Sequence, residues 1–371
     1  MKKIGIFGGS FDPVHNDHLN ICKKFTSELN LDCTLLIPAA CSPFKDASEA
    51  AKEDRFEMLS LAVKGNEKLI PDPTEIDSAG KSYTYLTVEK LKNKYPDAEL
   101  FLLVGTDSLL TFPTWKNPDL ILKNARVVVA ERKGENTFGA VENFKKHFGY
   151  APQIIKADGD ISSSLIREYL MLGLDASSFL PACVYEYIKT HSLYAPDKYH
   201  KFVSNHSKTS RLIHTAGVIV TAVKYAKVTG ADEKKAALAA LLHDSAKYLN
   251  IADYPDCKLP EGVPESIIHQ YLGAYVAENV LGVTDGEILG AIKWHTTGKP
   301  DMTLLEKIIY TADLLEPNRN FPGVNELRLA VDKDFESGFK LCVFELNKFL
   351  KSDNKPVYYL SEQANEYYNG K

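Results

Sequence analysis

The stretch Gly8-Gly9-Ser10-Phe11-Asp12-Pro13-Val14-His15-Asn16-Asp17-His18 follows the apolar run 4–7 and precedes a helical pattern beginning near Leu19. That order predicts a buried first strand, a glycine-rich turn and a helix N-terminus. Two glycines let backbone approach a ligand closely, and the unpaired N–H groups of a helix start favour phosphate. His15 and His18, three residues apart, stand where a phosphate chain would lie. A tight strand-to-helix turn with two surface histidines has the same pattern, so the rest of the chain has to decide between the readings.

Over residues 1–194, short β-rich runs alternate with helical stretches. Strands are expected at 3–7, 33–38, 100–104, 125–130 and 153–156, and helices at 19–28, 52–63, 84–94, 119–123, 141–148 and 164–170. This alternation predicts an α/β, Rossmann-like domain: a parallel sheet with helices on both faces. Ligands on such sheets bind beyond the carboxyl ends of the strands. The 8–18 stretch and Gly105-Thr106-Asp107 both follow strands and belong to that rim. A third segment, Ile161-Ser162-Ser163-Ser164-Leu165-Ile166-Arg167, opens a helix with hydroxyls that serve equally as caps or as donors to an anion. Arg167, one turn further in, is placed to bind the same anion in a bidentate way.

A boundary is expected at 193–198, around Pro196, which disfavours helix before it. Residues 195–371 read as an all-α helical bundle, with breaks at Gly230, 255–264, Gly282, 296–300 and 317–322. Five expected helices carry potential metal ligands: His214 in 208–227, His243 and Asp244 in 232–249, His269 in 265–281, His295 in 285–295 and Asp313 in 304–315. A single histidine is more often packed or on the surface, and His147, His191, His200 and His206 are read that way. The adjacent His243-Asp244 pair changes the odds, since both point towards one junction between helices. Nitrogen and oxygen donors of this kind suit iron, manganese or zinc better than magnesium. Lys247, four residues after His243, is expected to face the same way along the helix.

Charge divides evenly, with 23 basic and 26 acidic residues up to Ala195 and 21 and 23 after it, so neither half reads as a nucleic-acid or membrane-surface binder. The six cysteines form no C-x-x-C pair, which suits a reducing cytoplasm and argues against a disulfide framework. No apolar run reaches the roughly 18 residues of a membrane span, and no signal peptide is apparent. A cytoplasmic protein is expected, and the sequence is silent on its oligomeric state.

Residues 8–18, Ile37-Pro38-Ala39, Pro43, Lys45, 54–59, Ser82-Tyr83-Thr84, 104–108 with Trp115, 161–167 and the 179–194 tail together resemble the nicotinate-nucleotide adenylyltransferase family of nucleotidyltransferases. The resemblance covers residues 1–194 and implies transfer of AMP from ATP to nicotinate mononucleotide, with Mg²⁺ bridging the phosphates. It implies that His15 and His18 hold the triphosphate and that Lys45 and Arg167 add positive charge. Ser162 and Ser163 would contribute helix-start donors, and Thr84 and Trp115 would hold the mononucleotide. Gly8, Gly9, Ser10, Phe11, Gly105 and Asp107 would complete the nucleotide site. Positioning and electrostatics would supply the rate, with no covalent intermediate. Three positions depart from the family pattern. Asp17 replaces the glycine of H-x-G-H, Phe44 stands where histidine is usual, and Tyr85-Leu86 displaces an aspartate. A carboxylate at position 17 is expected to add bulk and bring negative charge near the polyphosphate. Two like charges about 5 Å apart at a dielectric near 20 repel by roughly 3 kcal/mol. A degenerate or nucleotide-sensing first domain is the corresponding alternative.

Arg211 to Thr215, Leu241 to Leu249, His269 with Gly273-Ala274, 291–298, 305–309 and 312–323 resemble the HD superfamily of metal-dependent phosphohydrolases. Within it they are most similar to the symmetrical diadenosine tetraphosphate hydrolases. The resemblance implies two metals, iron first and manganese or zinc as alternatives. His214, His243, Asp244 and Asp313 would hold one, with Asp244 bridging to a second on His269 and His295. Arg211, Lys247 and Arg319 would bind the polyphosphate, and an activated water would cleave it into two ADP.

Overall fold

A computed structural model describes residues 1–40, 49–77, 82–132, 137–159, 161–352 and 357–370. The chain divides into two compact units: Met1–Arg167 with Asp175–Tyr194, and Glu168–Leu174 with Ala195–Lys371.

The first unit is built on a six-stranded sheet. Its strands are β1 (Lys3–Gly9), β2 (Cys33–Pro38), β3 (Leu69–Pro71), β4 (Glu99–Gly105), β5 (Ala125–Glu131) and β6 (Gln153–Lys156). They lie in the order β3-β2-β1-β4-β5-β6, and every neighbouring pair is parallel. Its helices are α1 (Asn16–Glu28), α2 (Lys52–Val63), α3 (Thr84–Lys94), α4 (Thr106–Thr111), α5 (Pro118–Asn124), α6 (Phe138–Phe148), the part of α7 (Ser163–Met171) up to Arg167, and α8 (Ala182–Thr190). Side chains alternate across the sheet as the pleat requires. Leu100, Leu102 and Val104 of β4 join the core that contains Val88, Phe112, Ile121 and Phe144. Phe101 and Leu103 join the opposite core, with Ile21, Phe25 and Ile155.

Strand order reverses between β1 and β4, and a sheet of this kind opens a ligand crevice at such a switch point. The 8–18 stretch leaves β1 there, and Gly105 ends β4 beside it. Three elements differ from expectation. β3 has only three residues and ends on a proline, too short for a β-rich run. Thr106 and Asp107 open α4, a helix not among those expected. The 179–194 tail contains helix α8.

The second unit is all-helical among the described residues: α9 (Lys198–His206), α10 (Thr209–Thr229), α11 (Glu233–Leu242), α12 (Ile268–Asn279), α13 (Gly286–Trp294), α14 (Leu304–Leu315), α15 (Val324–Lys333), α16 (Phe335–Ser352) and α17 (Tyr359–Asn369). Start signals are written in the sequence. Asp232 caps α11 by accepting from the backbone of Lys234 and Lys235, and Thr303 with Glu306 forms a capping box on α14. Gly230, at φ 75°, ends α10 in the left-handed conformation that a glycine adopts without cost. α10, α11 and α14 pack against one another, α13 against α11 and α14, and α12 against α13. No helix among the described residues is long and apolar enough to cross a membrane.

One helix ends early. α11 stops at Leu242, and residues 243–248 form tight turns instead of continuing to 249. Ser245 N donates to Leu242 O, Lys247 N to Asp244 O and Leu249 N to Ala246 O, all three residues back. This winding is tighter than an α-helix, so Lys247 does not follow His243 along one helical face.

Candidate active sites

In the first unit, the loop after β1 is tied down by its own side chains. The buried Asp12 carboxylate accepts from Glu49 N (2.9 Å), Ala50 N (3.2 Å) and the Tyr194 hydroxyl (2.7 Å). Arg55, 1% exposed, supplies the opposite charge and donates to the carbonyls of Ser10 (2.6 Å), Ala50 (3.3 Å) and Ala40 (3.4 Å). Nothing in the sequence singles out either residue, since Arg55 ends the charged run Lys52-Glu53-Asp54-Arg55 at the start of α2. Replacing Arg55 with Met removes these bonds and leaves Asp12 buried without its counter-charge. The expected loss is about 3–5 kcal/mol from the first unit's unfolding transition in urea. A shift under about 1 kcal/mol would mean the loop is held by other contacts.

His15 is 2% exposed, and its ring lies 3.6 Å from that of His18, centroid to centroid. Burial, reinforced by the charge of Arg132, pushes His15 down to about 3, so it is uncharged near neutral pH. His15 N donates to His18 Nδ1 (3.3 Å), which places the proton of a neutral His18 on Nε2. With His15 uncharged, the ring pair does not carry two positive charges. Phe11 is fully enclosed, its ring edge-on to His18 and 3.3 Å from where a Cβ on Gly9 would lie. Its side chain packs edge-on against His18 with no exposed surface. A Cβ on Gly8 would meet only Ile37 O at 4.0 Å, so that position is open on its other side.

The start of α7 is tied to this loop by three bonds. Arg167 Nη1 donates to Asp12 O (2.8 Å), Ser163 Oγ to Pro13 O (3.0 Å) and Ile161 N to Asp17 Oδ2 (3.0 Å). Ser162 Oγ accepts from Leu165 N (3.2 Å) and caps the helix. Both serine hydroxyls are thus engaged structurally. Asp17 does not simply add bulk. A Cβ on Gly159 would lie 1.9 Å from its Oδ2, so the missing glycine at 17 is matched by a glycine at 159 that makes room for the carboxylate. Asp107 is exposed in the first turn of α4, Thr84 begins α3, and Trp115 packs on Phe112 at 5.0 Å. Lys45 and Phe44 lie outside the described residues.

In the second unit, the six predicted metal-ligand residues converge. His214 Nε2 lies 3.3 Å from His243 Nε2 and 3.0 Å from Asp313 Oδ1. Asp244 Oδ2 lies 3.5 Å from His243 Nε2, while its Oδ1 faces His269 Nε2 at 3.3 Å and His295 Nε2 at 3.6 Å. Two groups have ligand atoms within 4.8 Å of one another: His214, His243 and Asp313, and His243, Asp244 and His295. The donors fit a divalent cation, because Asp244 Oδ1 is buried and accepts no hydrogen bond although two imidazoles face it. Burial alone would raise the Asp244 carboxyl, but His243 and His295 beside it outweigh that and hold it well below the usual carboxylate range.

Local backbone geometry aims these rings. His243 and His295 are the C-caps of α11 and α13, where the last carbonyls have no helical partner. His243 Nδ1 takes Ala240 O (2.6 Å) and His295 Nδ1 takes Ile292 O (2.7 Å), turning both Nε2 atoms to the cluster. Thr296 Oγ1 sits between His295 Nε2 (2.9 Å) and His269 Nε2 (3.1 Å), a contact not foreseen from sequence. Lys247 Nζ reaches the His269 ring, 3.2 and 3.1 Å from its two nitrogens. Arg211 Nη1 pairs with Asp244 Oδ2 (2.6 Å) and Arg319 Nη2 with Asp313 Oδ1 (2.7 Å). A cleft of about 270 Å³, lined by both arginines and by His214, opens beside them. Of the remaining histidines, His147, His191 and His206 are exposed, and His200 is buried between Asp197 (2.7 Å) and Glu168 (3.3 Å).

Comparison with known proteins agrees with this division. Residues 6–169 match the cytidylyltransferase-like family and residues 211–318 the HD domain. A Mycoplasma genitalium protein named "Probable nicotinate-nucleotide adenylyltransferase/Ap4A hydrolase" is 31% identical over 86% of this chain and 88% of its own. Its Mycoplasma pneumoniae counterpart of the same name is 29% identical over 96% of this chain and 97% of its own. A Neisseria meningitidis serogroup B protein named "Probable nicotinate-nucleotide adenylyltransferase" is 34% identical over 52% of this chain and 99% of its own. An HD domain implies divalent metal binding, and the imidazole and carboxylate cluster has donors that could hold such an ion. This chain belongs to the family of the nicotinate-nucleotide adenylyltransferase/Ap4A hydrolases, in which a cytidylyltransferase-like half precedes an HD half.

Proposed function

We infer that the protein is a bifunctional, cytoplasmic nucleotide enzyme. Residues 1–194 transfer AMP from ATP to nicotinate mononucleotide. Residues 195–371 hydrolyse diadenosine tetraphosphate symmetrically to two ADP. The observation that carries the reading is two separate chemical constellations on one chain: a phosphate-type rim at a sheet switch point and a buried His/Asp cluster with a carboxylate oxygen that accepts no hydrogen bond.

In the transferase reaction, a phosphate oxygen of the mononucleotide attacks the α-phosphorus of ATP and pyrophosphate leaves. His15 and His18 donate hydrogen bonds to the triphosphate, and Lys45 and Arg167 balance its charge. The backbone at Gly8, Gly9, Ser10, Ser162 and Ser163 supplies close N–H donors, with Gly105 and Asp107 at the neighbouring strand end. Thr84 and Trp115 flank the mononucleotide. Mg²⁺ bound with ATP supplies further charge neutralisation. The engagement of Asp17 with Ile161 N supports an active site rather than the degenerate or sensing alternative.

In the hydrolase, His214, His243 and Asp313 would hold one divalent ion, and Asp244, His269 and His295 would serve a second. Iron is the first choice, and manganese and zinc also suit these donors. Bound ions supply Lewis acidity and bring a water's pKa towards neutrality. Arg211 and Arg319 hold the polyphosphate in the cleft, and Lys247 adds positive charge beside His269. The test is product analysis of the purified full chain. ATP with nicotinate mononucleotide should give pyrophosphate and deamido-NAD. Diadenosine tetraphosphate with Mn²⁺ or Fe²⁺ should give ADP alone, and a chelator should stop it. ATP and AMP as hydrolysis products, or no pyrophosphate, would contradict the corresponding half.

A further inference from the structure

His214 is unlike the other two aimed imidazoles of the cluster. His243 and His295 cap helices and take orphan carbonyls of their own last turns. His214 sits inside α10, which continues to Thr229, so the preceding carbonyls are already spent on the helix. Its Nδ1 therefore needs a partner from elsewhere, and Glu316, just beyond α14, supplies one: Oε1 lies 3.2 Å from His214 Nδ1. Glu316 is 2% exposed. Its Oε2 accepts from Asn318 N (2.7 Å) and Asn318 Nδ2 (3.0 Å), so the carboxylate is fixed from both sides.

A second, independent observation points to the same group. Gly217 lies in the interior of α10, where glycine costs about 1 kcal/mol relative to alanine. A Cβ at that position would lie 2.3 Å from Glu316 Oε2. The carboxylate has no free direction in which to move without giving up Asn318 or His214. The glycine thus keeps open the space that lets Glu316 reach His214.

We propose that Glu316 is the positioning residue of the hydrolase metal centre, and that Gly217 exists to admit it. By accepting from Nδ1–H, Glu316 holds the His214 ring so that its Nε2 lone pair faces Asp313 and His243. This rests on the metal-hydrolase reading of the second unit. Loss of a partner of this kind weakens metal binding by about 10–100-fold.

The test is calorimetric titration of Mn²⁺ into the chelator-stripped full chain, with thermal unfolding of the same metal-free samples. Glu316→Ala and Gly217→Ala should each weaken Mn²⁺ binding by about 10–100-fold. The double variant should be no weaker than Glu316→Ala, since both act on one contact. Glu316→Gln, which keeps an acceptor oxygen, should recover part of the affinity. Unchanged Mn²⁺ affinity in folded Glu316→Ala and Gly217→Ala, with only unfolding shifted, would overturn the proposal. If wild type binds Mn²⁺ and the variants lose it while diadenosine tetraphosphate is left uncut, the substrate reading fails and the role of Glu316 stands.

Discussion

Asp244→Asn is expected to reduce diadenosine tetraphosphate hydrolysis by at least about 10³-fold at saturating metal. The side chain is the hinge of the cluster: Oδ2 faces His243 at 3.5 Å, and Oδ1 faces His269 and His295 at 3.3 and 3.6 Å. Asparagine keeps the volume, so packing around the 5%-exposed site is preserved. It removes the negative charge that all these imidazoles surround and replaces one acceptor oxygen by an NH₂ that repels a cation. Because the neighbouring histidines hold the wild-type carboxyl well below the usual range, it is ionised throughout the working pH range. The loss should therefore be equally large across that range. Metal content of the purified variant, measured beside initial rates, should fall with activity. Full activity with bound metal would remove Asp244 from the centre of the account.

Gly159→Ala is the second large effect, because its Cβ would lie 1.9 Å from Asp17 Oδ2 and must break the bond to Ile161 N. A hydrogen bond to a charged group contributes about 1.5–3 kcal/mol, so its loss corresponds to about 10–150-fold. The segment it holds carries Ser162 and Ser163 and leads into Arg167, and misplacement by about 1 Å can cost 10²-fold in rate. Adenylyl transfer should therefore fall by about 10–100-fold in Gly159→Ala and similarly in Asp17→Ala. Their combination should add little, since one contact is shared. Steady-state pyrophosphate release would measure this. A rise in turnover for Asp17→Ala would instead mean that the carboxylate impedes the polyphosphate.

Much of this architecture is readable in the sequence because local signals agree with it. The apolar runs of β1, β2, β4, β5 and β6 alternate with helical stretches, and their order alone implies a parallel sheet. Asp232, Thr303 with Glu306, and Gly230 mark helix ends by the hydrogen bonds they make. What was not legible depends on partners far along the chain or on changes in winding. The apolar pattern of α11 runs on through Ala246 and Leu249, so nothing local marks the tighter turns at 243–248 that bring His243 and Asp244 together. His214 and Glu316 are 102 residues apart, and Asp17 and Ile161 144 apart. Position 17 in isolation suggests an obstructing carboxylate. Only the fold shows Gly159 opposite it.

The central claim, two independent reactions on one chain, is tested most directly by assaying both in wild type, Asp244→Asn and Gly159→Ala. Reciprocal loss is expected: Asp244→Asn keeps pyrophosphate release from ATP and nicotinate mononucleotide while losing ADP production from diadenosine tetraphosphate. Gly159→Ala should show the opposite pattern. Parallel loss of both reactions in either folded variant, or failure of wild type to carry out one of them, would contradict it.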